Sequence, residues 1–276
     1  MKTSISFFIS FVLIFLAFSC TKYEDIQSNG KYSTDNEHIK SVSSNGTINH
    51  LYLYDHAGKI VEENCLLYFK RYSYDENDRL VKVESAFDDA IYSSTFVERR
   101  TEFMTSQNSA VKSYSLYEYD NKGRLSKIEN YANLTGKEFE YRSMKTFEYE
   151  RSNIVKVNLC DPSTGKVAQY WLYTYDNQGN VINEKYYSNN FDYNEELIRE
   201  TSYKYDKYEN PYRIFSILGS PGLFMNVNNI IETNSILYLD VPGIDKYSTG
   251  KNTYQYNENG YSVKVNESGN VFEYNY

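Results

Sequence analysis

The sequence predicts an all-β protein: an antiparallel meander of repeated hairpins forming an extended or curled sheet, up to a partial barrel, with one non-repeat insert. Three observations carry this. Tyr occurs 31 times and Asn 29 times in 276 residues, against 13 Gly and 4 Pro. Tyr favours half-buried pleated surfaces and Asn favours tight turns. One short phrase, aromatic-any-Tyr-acid followed by a turn and an apolar pair, returns seven times. Within it the residue between the aromatics is polar in six of seven copies, the period of a strand packed on one face.

The first nineteen residues read as an address. Lys2 gives a positive start, and Ile5 to Phe18 is almost wholly apolar. That run is short for a membrane span and suits a secretory signal. It ends in Leu16-Ala17-Phe18-Ser19-Cys20, which resembles the lipobox of bacterial lipoproteins, with Phe18 bulkier than usual. The resemblance implies cleavage of 1–19 and lipidation of Cys20; the plain alternative is a secretory signal with an incidental Cys. Each buried methylene of a lipid chain contributes about 0.8 kcal/mol, so several chains hold a protein at a membrane without a helix. Residues 20–36 then read as a polar tether. Its Lys22-Tyr23-Glu24-Asp25 resembles the surface-export signal of Bacteroidetes lipoproteins, and a merely solvated tether fits the same residues.

From 37 to 276 the chain reads as one domain. The phrase occurs at Tyr52-Leu53-Tyr54-Asp55, Tyr72-Ser73-Tyr74-Asp75, Tyr117-Glu118-Tyr119-Asp120, Phe147-Glu148-Tyr149-Glu150, Tyr173-Thr174-Tyr175-Asp176, Tyr203-Lys204-Tyr205-Asp206 and Tyr254-Gln255-Tyr256-Asn257. Aromatics two apart share one face of a strand. Asp55, Asp75, Asp120 and Asp176 are expected to open turns by accepting backbone N–H bonds. Gly58, Gly123 and Gly179, three residues later, suit the left-handed position of a type I turn closed by a bulge. Leu80, Val81 and Val83 cannot all face one way, which implies a bulge or a sheet covered on both faces. The fourth copy is one residue shorter.

These units resemble the YD repeats of Rhs-type proteins. The chain from about 40 to 276 is similar to the YD-repeat lipoproteins of Bacteroidetes, on Asn210-Pro211-Tyr212, Asn228-Asn229-Ile230 and an aromatic-rich closing hairpin from Tyr254 to Tyr276. The resemblance implies a fold type, not an activity. Seven repeats look too few for the closed shells of the large Rhs proteins.

The stretch 211–250 loses the phrase and holds Pro211, Pro221 and Pro242 with an apolar cluster at Ile214, Phe215, Ile217, Leu218, Leu223, Phe224 and Met225. It reads as a folded insert that caps an end or face of the sheet, or else shapes a groove. Residues 84–110 read as a strand pair or a surface excursion.

No catalytic constellation is legible. His38, His50 and His56 lack the spacing of a metal triad, and no nucleophile elbow, phosphate loop or dinucleotide fingerprint is present. Asp75-Glu76-Asn77-Asp78 and Asp88-Asp89 are expected to be solvated turns. No metal and no cofactor are expected. The formal charge of −8, from 29 basic and 37 acidic residues, argues against nucleic acid as a partner. Cys65 and Cys160 read as small buried hydrophobes or as a disulfide. Many of the tyrosines must lie at a wet margin, forming cross-strand ladders or contacts to a glycan or an envelope protein. Tyr208 and Tyr261, near turn tips, and Trp171 are the candidate contacts. The expectation is a binding or scaffold protein held by lipid at the outer membrane. An assembly protein, or a polysaccharide or peptide hydrolase, are the other readings.

Overall fold

A computed structural model describes residues 38–88, 100–134, 136–151, 153–189, 195–222, 224–240 and 242–276. The signal, Cys20 and the tether lie outside the described residues, as do Asp89 and Leu223. Among the described residues sixteen strands form one antiparallel sheet closed into a barrel. The first is β1 (Ser41–Ser44), and the first three phrase hairpins are β2–β3 (Thr47–Tyr54, Ile60–Cys65), β4–β5 (Tyr68–Tyr74, Leu80–Phe87) and β6–β7 (Ser113–Tyr119, Leu125–Ala132). The fourth to sixth are β8–β9 (Glu140–Arg151, Ile154–Cys160), β10–β11 (Val167–Tyr175, Val181–Asn189) and β12–β13 (Glu195–Glu209, Asn228–Leu237). The seventh is β14–β15 (Tyr247–Tyr256, Ser262–Glu267), and β16 (Asn270–Asn275) pairs with β1. Each phrase is one hairpin. Fourteen phrase strands plus β1 and β16 close the sheet that the sequence predicted as extended, curled or a partial barrel.

The turns follow from the acid and the residue three places on. At Asp120 the carboxylate Oδ1 accepts N–H bonds from Lys122 and Arg124, both 2.9 Å, and Gly123 donates to the Asp120 carbonyl at 2.9 Å with φ 74°. Asp55, Asp75 and Asp176 accept the same pair of N–H bonds, and Asn257 stands in for Asp in the seventh hairpin. Gly58 and Gly179 occupy the left-handed position, which Asp78 fills in the second hairpin at φ 61°. A bulge follows each of these turns. Tyr74 pairs with Leu80 and Ser73 with Lys82, so Val81 is the extra residue and Leu80 and Val83 both face inward.

The phrase aromatics line the interior. The second Tyr of a phrase also donates its phenol O–H to a backbone carbonyl of the preceding hairpin. Tyr74 reaches Ile60 at 2.8 Å, Tyr119 reaches Leu80 at 2.8 Å, and Tyr149 reaches Leu125 at 2.9 Å. Tyr205 bonds to Val181, Tyr54 reaches Ile39, just before β1, at 2.7 Å, and beyond the phrases the C-terminal Tyr276 reaches Ser262 of β15 at 3.1 Å. Two copies depart from this: Tyr256 OH donates to the Asp206 carboxylate, and among the described residues the buried Tyr175 hydroxyl has no partner. The hairpin it faces is the shortened fourth one, where the register shift falls on the first strand, between Tyr149 and Arg151, rather than after the turn.

Sixteen strands enclose more space than wall side chains can fill. The sixth hairpin supplies the filling. Instead of a tight turn, residues 210–227 run into the lumen. Asn210 caps a 3-10 helix, Pro211–Leu218, accepting from the Tyr212 N–H, and Gly219 ends it at φ 64°. Three residues per turn place Tyr212, Phe215 and Leu218 on one stripe. Phe215 packs on Tyr52 of β2, Gly219 lies against Leu125, Ile128 and Phe147 of β7 and β8, and Gly222 lies against Tyr173, Glu184 and Tyr203 of β10–β12. These contacts come from opposite walls, so the segment is a plug. The expected cap of 211–250 is therefore shorter and internal: 228–237 is β13, and β14 starts at Tyr247. Its polar, alternating side chains pair as ordinary strands, which the missing phrase concealed.

Outside, the barrel is polar. Lys127 bridges Glu118 at 2.6 Å and Glu129 at 3.1 Å, Lys204 meets Glu232 at 2.8 Å, and Lys264 meets Glu273 at 3.1 Å. A wall facing lipid is apolar there; this one faces water. Among the described residues no helix is long and apolar enough to cross a membrane. Of 84–110, residues 84–87 end β5, and residues 100–108 cross the outer wall. There Ser106 bonds to Glu62, and Met104 covers Phe69 and Ala86. Cys65 and Cys160 are free and buried. Cys65 pairs with inward His50, whereas Cys160 pairs with Met144 on the outward face of β8, so no disulfide can join them.

Candidate functional site

All seven phrase turns ring one end of the barrel, because each follows a strand of the same direction. His38 and Tyr276 lie at this end too, His38 beside the Tyr54 ring. The opposite, loop end carries the other connections. The plug enters from the phrase end and is latched there by amides. Asn226 Oδ1 accepts from Val181 N–H at 2.8 Å and from Tyr205 OH at 3.0 Å, and Asn180 and Asn228 bond to each other twice at 2.9 Å. Asn229 donates to Asp206, which also accepts from Tyr256 OH. Asn210-Pro211 and Asn228-Asn229 thus form the neck of the plug. A shallow hollow of about 710 Å³ over this neck is lined by Gln178, Tyr205, Asp206, Lys207, Val227 and Asn228, and of these Tyr205, Asp206 and Asn228 are engaged in the latch.

Above the plug the lumen holds a cavity of about 840 Å³. Its floor is aromatic: Tyr52, Tyr212, Phe215, Phe224, Phe272 and Tyr274. One wall carries a buried polar cluster. Glu63 accepts from Tyr68 OH at 2.7 Å and Tyr72 OH at 3.1 Å, and pairs with Lys70 at 2.9 Å and with His50 at 3.5 Å. Burial alone would raise its carboxyl, but Lys70, His50 and Tyr68 outweigh that and hold it well below the ordinary 4.5. The other wall presents Thr233, Asn252 and Glu267. Burial raises the Glu267 carboxyl above 4.5. A concave, mostly apolar space with a few convergent polar groups is what a small-molecule site requires.

Glu63 and its neighbours were not singled out from the sequence. In the bulged hairpins the first residue after the turn and the third beyond it face inward: Leu80 with Val83, and Leu125 with Ile128. At Ile60 and Val181 the third residue beyond is Glu63 and Glu184. An acid where its counterparts are aliphatic is the signal. The proposed contacts do not converge. Tyr208 is half-buried, stacked on Tyr256 at 3.9 Å, and Tyr261 packs on Tyr276 at 5.0 Å, both at the phrase end. Trp171 faces the lumen, stacked on Tyr186 at 5.1 Å. His56 is exposed in its turn. Among the described residues no three His, Cys, Asp or Glu side chains gather as metal ligands would.

No protein-family model and no curated protein matches the chain. Among solved structures it is similar to a porin-like protein from Bacteroides vulgatus ATCC 8482, with TM-score 0.51 and 10% identity over 87% of this chain and 98% of that one. That likeness extends to the fold. A porin-like protein from Bacteroides uniformis ATCC 8492 gives TM-score 0.44 at 12% identity, covering 86% and 96% of the two chains. The crystal structure of TcdB2-TccC3 gives 0.29 at 13% identity, covering 80% of this chain and 12% of that one. The last two scores are too low to support an argument.

Proposed function

We propose that the protein is a lipid-anchored envelope protein, of the YD-repeat lipoprotein type, that binds a small ligand in its barrel lumen and catalyses nothing. The carrying observation is the 840 Å³ cavity, with its aromatic floor and polar walls. Cys20 holds the chain at the outer membrane, and the tether leads to the phrase end at His38. The loop end, where the lumen is not plugged, then faces away from the membrane. Of the aromatics the sequence offered to a glycan, Trp171 faces the lumen and the phrase aromatics line it, so the ligand is taken inside the barrel rather than on a flat sheet.

The test is a glycan array and a small-molecule thermal-shift panel on the soluble form starting at Thr21, alongside Thr233→Phe. Thr233 lines the cavity, and a ring there fills it. A ligand that binds the wild type and is lost in the filled variant at unchanged melting temperature supports the reading. Ligands bound equally by both variants, or turnover of a polysaccharide or peptide, refute it.

A second reading, a scaffold for another envelope protein, is favoured by one observation. Leu134 and Ile244 on loops and Tyr247 at the start of β14 stand 64%, 58% and 66% exposed at the loop end. Pull-down with these three changed to Ser separates it from the first.

A further inference from the structure

Glu267 stands apart from the other acids of the lumen. Glu63 is saturated by Tyr68, Tyr72 and Lys70, and Glu184 by Tyr203 at 3.0 Å and Arg199 at 3.2 Å. Glu267 faces the cavity from the end of β15, on the same face as buried Val265. Among the described residues it has neither hydrogen bond nor ion pair. The tyrosines around it have other partners. Tyr254 OH donates to the Ile230 carbonyl at 3.1 Å, and the Tyr212 and Tyr274 rings meet edge to face at 5.6 Å. Tyr212, Tyr254, Phe272 and Tyr274 line the cavity together with this carboxyl. Lys70, the cavity's cation, is already neutralised by Glu63.

We propose that Glu267, walled by Tyr212, Tyr254, Phe272 and Tyr274, is a subsite for an organic ammonium ion carried on an apolar body. A half-buried carboxylate lacks a counter-charge there, and aromatic faces attract cations through their quadrupoles. A neutral hydroxyl would satisfy one lone pair and leave the charge uncompensated. The proposal rests on the lumen being a ligand site.

It has a pH signature. The titratable groups facing Glu267 are Tyr212 from the plug, Tyr254 from β14 and Tyr274 from β16, with Glu63, Lys70 and His50 across the cavity. Burial drives the three phenols well above their ordinary 10, so they stay neutral. Burial holds Glu267 above 4.5 in the empty cavity. An ammonium ion reverses this, so the carboxyl releases its proton on binding, and affinity rises with pH through its titration.

The probes are choline and its neutral isostere 3,3-dimethyl-1-butanol, titrated calorimetrically into the purified mature protein. Choline should bind at least about tenfold more tightly, the scale of a desolvated cation–aromatic contact. The preference should grow as pH rises above the ordinary carboxyl range. Glu267→Gln should abolish preference and pH dependence, and Glu267→Asp should keep both. Equal affinity for the two probes, binding of neither, or a preference that survives Glu267→Gln overturns the proposal. The two-probe comparison on wild type decides even if a variant fails to fold. A panel ligand lost on Thr233→Phe but held equally by wild type and Glu267→Gln leaves the lumen reading standing and removes the ammonium subsite.

Discussion

The phenol of Tyr119 reaches back 39 residues to the carbonyl of Leu80. Tyr54, Tyr74, Tyr149 and Tyr205 make the same kind of bond, which favours Tyr as the second aromatic in those copies: Phe would pack as well but leave a carbonyl unpaired. Tyr119→Phe should lower stability by about 1 kcal/mol, the usual net value of such a bond. Tyr175→Phe should cost nothing, or stabilise, because it deletes a buried hydroxyl that has no partner. Chemical denaturation of the two variants checks the contrast, and equal losses would contradict it. In the Asp120 turn, Gly123 has open space around it but φ 74°. Gly123→Val should cost about 1–3 kcal/mol through backbone strain, and Lys122→Val much less. Comparable unfolding midpoints would refute this register.

The plug is the element on which the lumen depends. A Cβ at Gly219 would stand 2.9 Å from Phe147 Cζ and 3.3 Å from Ile128 Cδ1, at φ 64°. Gly219→Ala should therefore loosen the plug while the wall persists, at a cost of about 1–3 kcal/mol. Dye binding to exposed apolar surface should rise while far-ultraviolet dichroism keeps its strand signal. On β3, Glu63 is held below its ordinary 4.5, so the native state binds fewer protons than the unfolded one in acid. Its stabilisation is complete above about pH 4.5 and is lost as pH falls below that. Glu267, shifted upward, acts with the opposite sign. Wild type should lose melting temperature between about pH 5 and about pH 3 more steeply than Glu63→Gln. The hairpins and their turns were legible because the signals are local: an Asp, a Gly three places on, two aromatics in phase. The plug was legible as an apolar Pro-bounded exception, but not its place, because neither of its candidate roles was internal. Closure supplies an inside only when β1 meets β16. Glu63 and Glu184 escaped notice because a bulge changes the inward parity after each turn, which alternation counted straight through the turn does not reveal.

For the whole molecule, charge ladders outside and tyrosines inside describe a barrel that stands in water. In the proposed function anchorage falls to Cys20, outside the described residues. Cys20→Ala should abolish palmitate labelling and release the mature protein from membranes; equal labelling of the variant would exclude that anchor. The fold likeness to a porin-like protein does not alter this, since a shared barrel leaves open what its wall faces. The seam between β1 and β16 also bears on how the chain reaches this state. Every other ladder joins neighbours in sequence and can form as soon as they emerge, but Ser41–Ser43 must wait for Glu273–Asn275. Folding should thus have a fast local phase and a slow closing step set by the longest loop in the molecule. Until that step, β1 and β15 or β16 offer unpaired edges to other chains. A chain ending at Gly269 would keep those edges permanently, and it should accumulate as aggregates rather than as a smaller barrel.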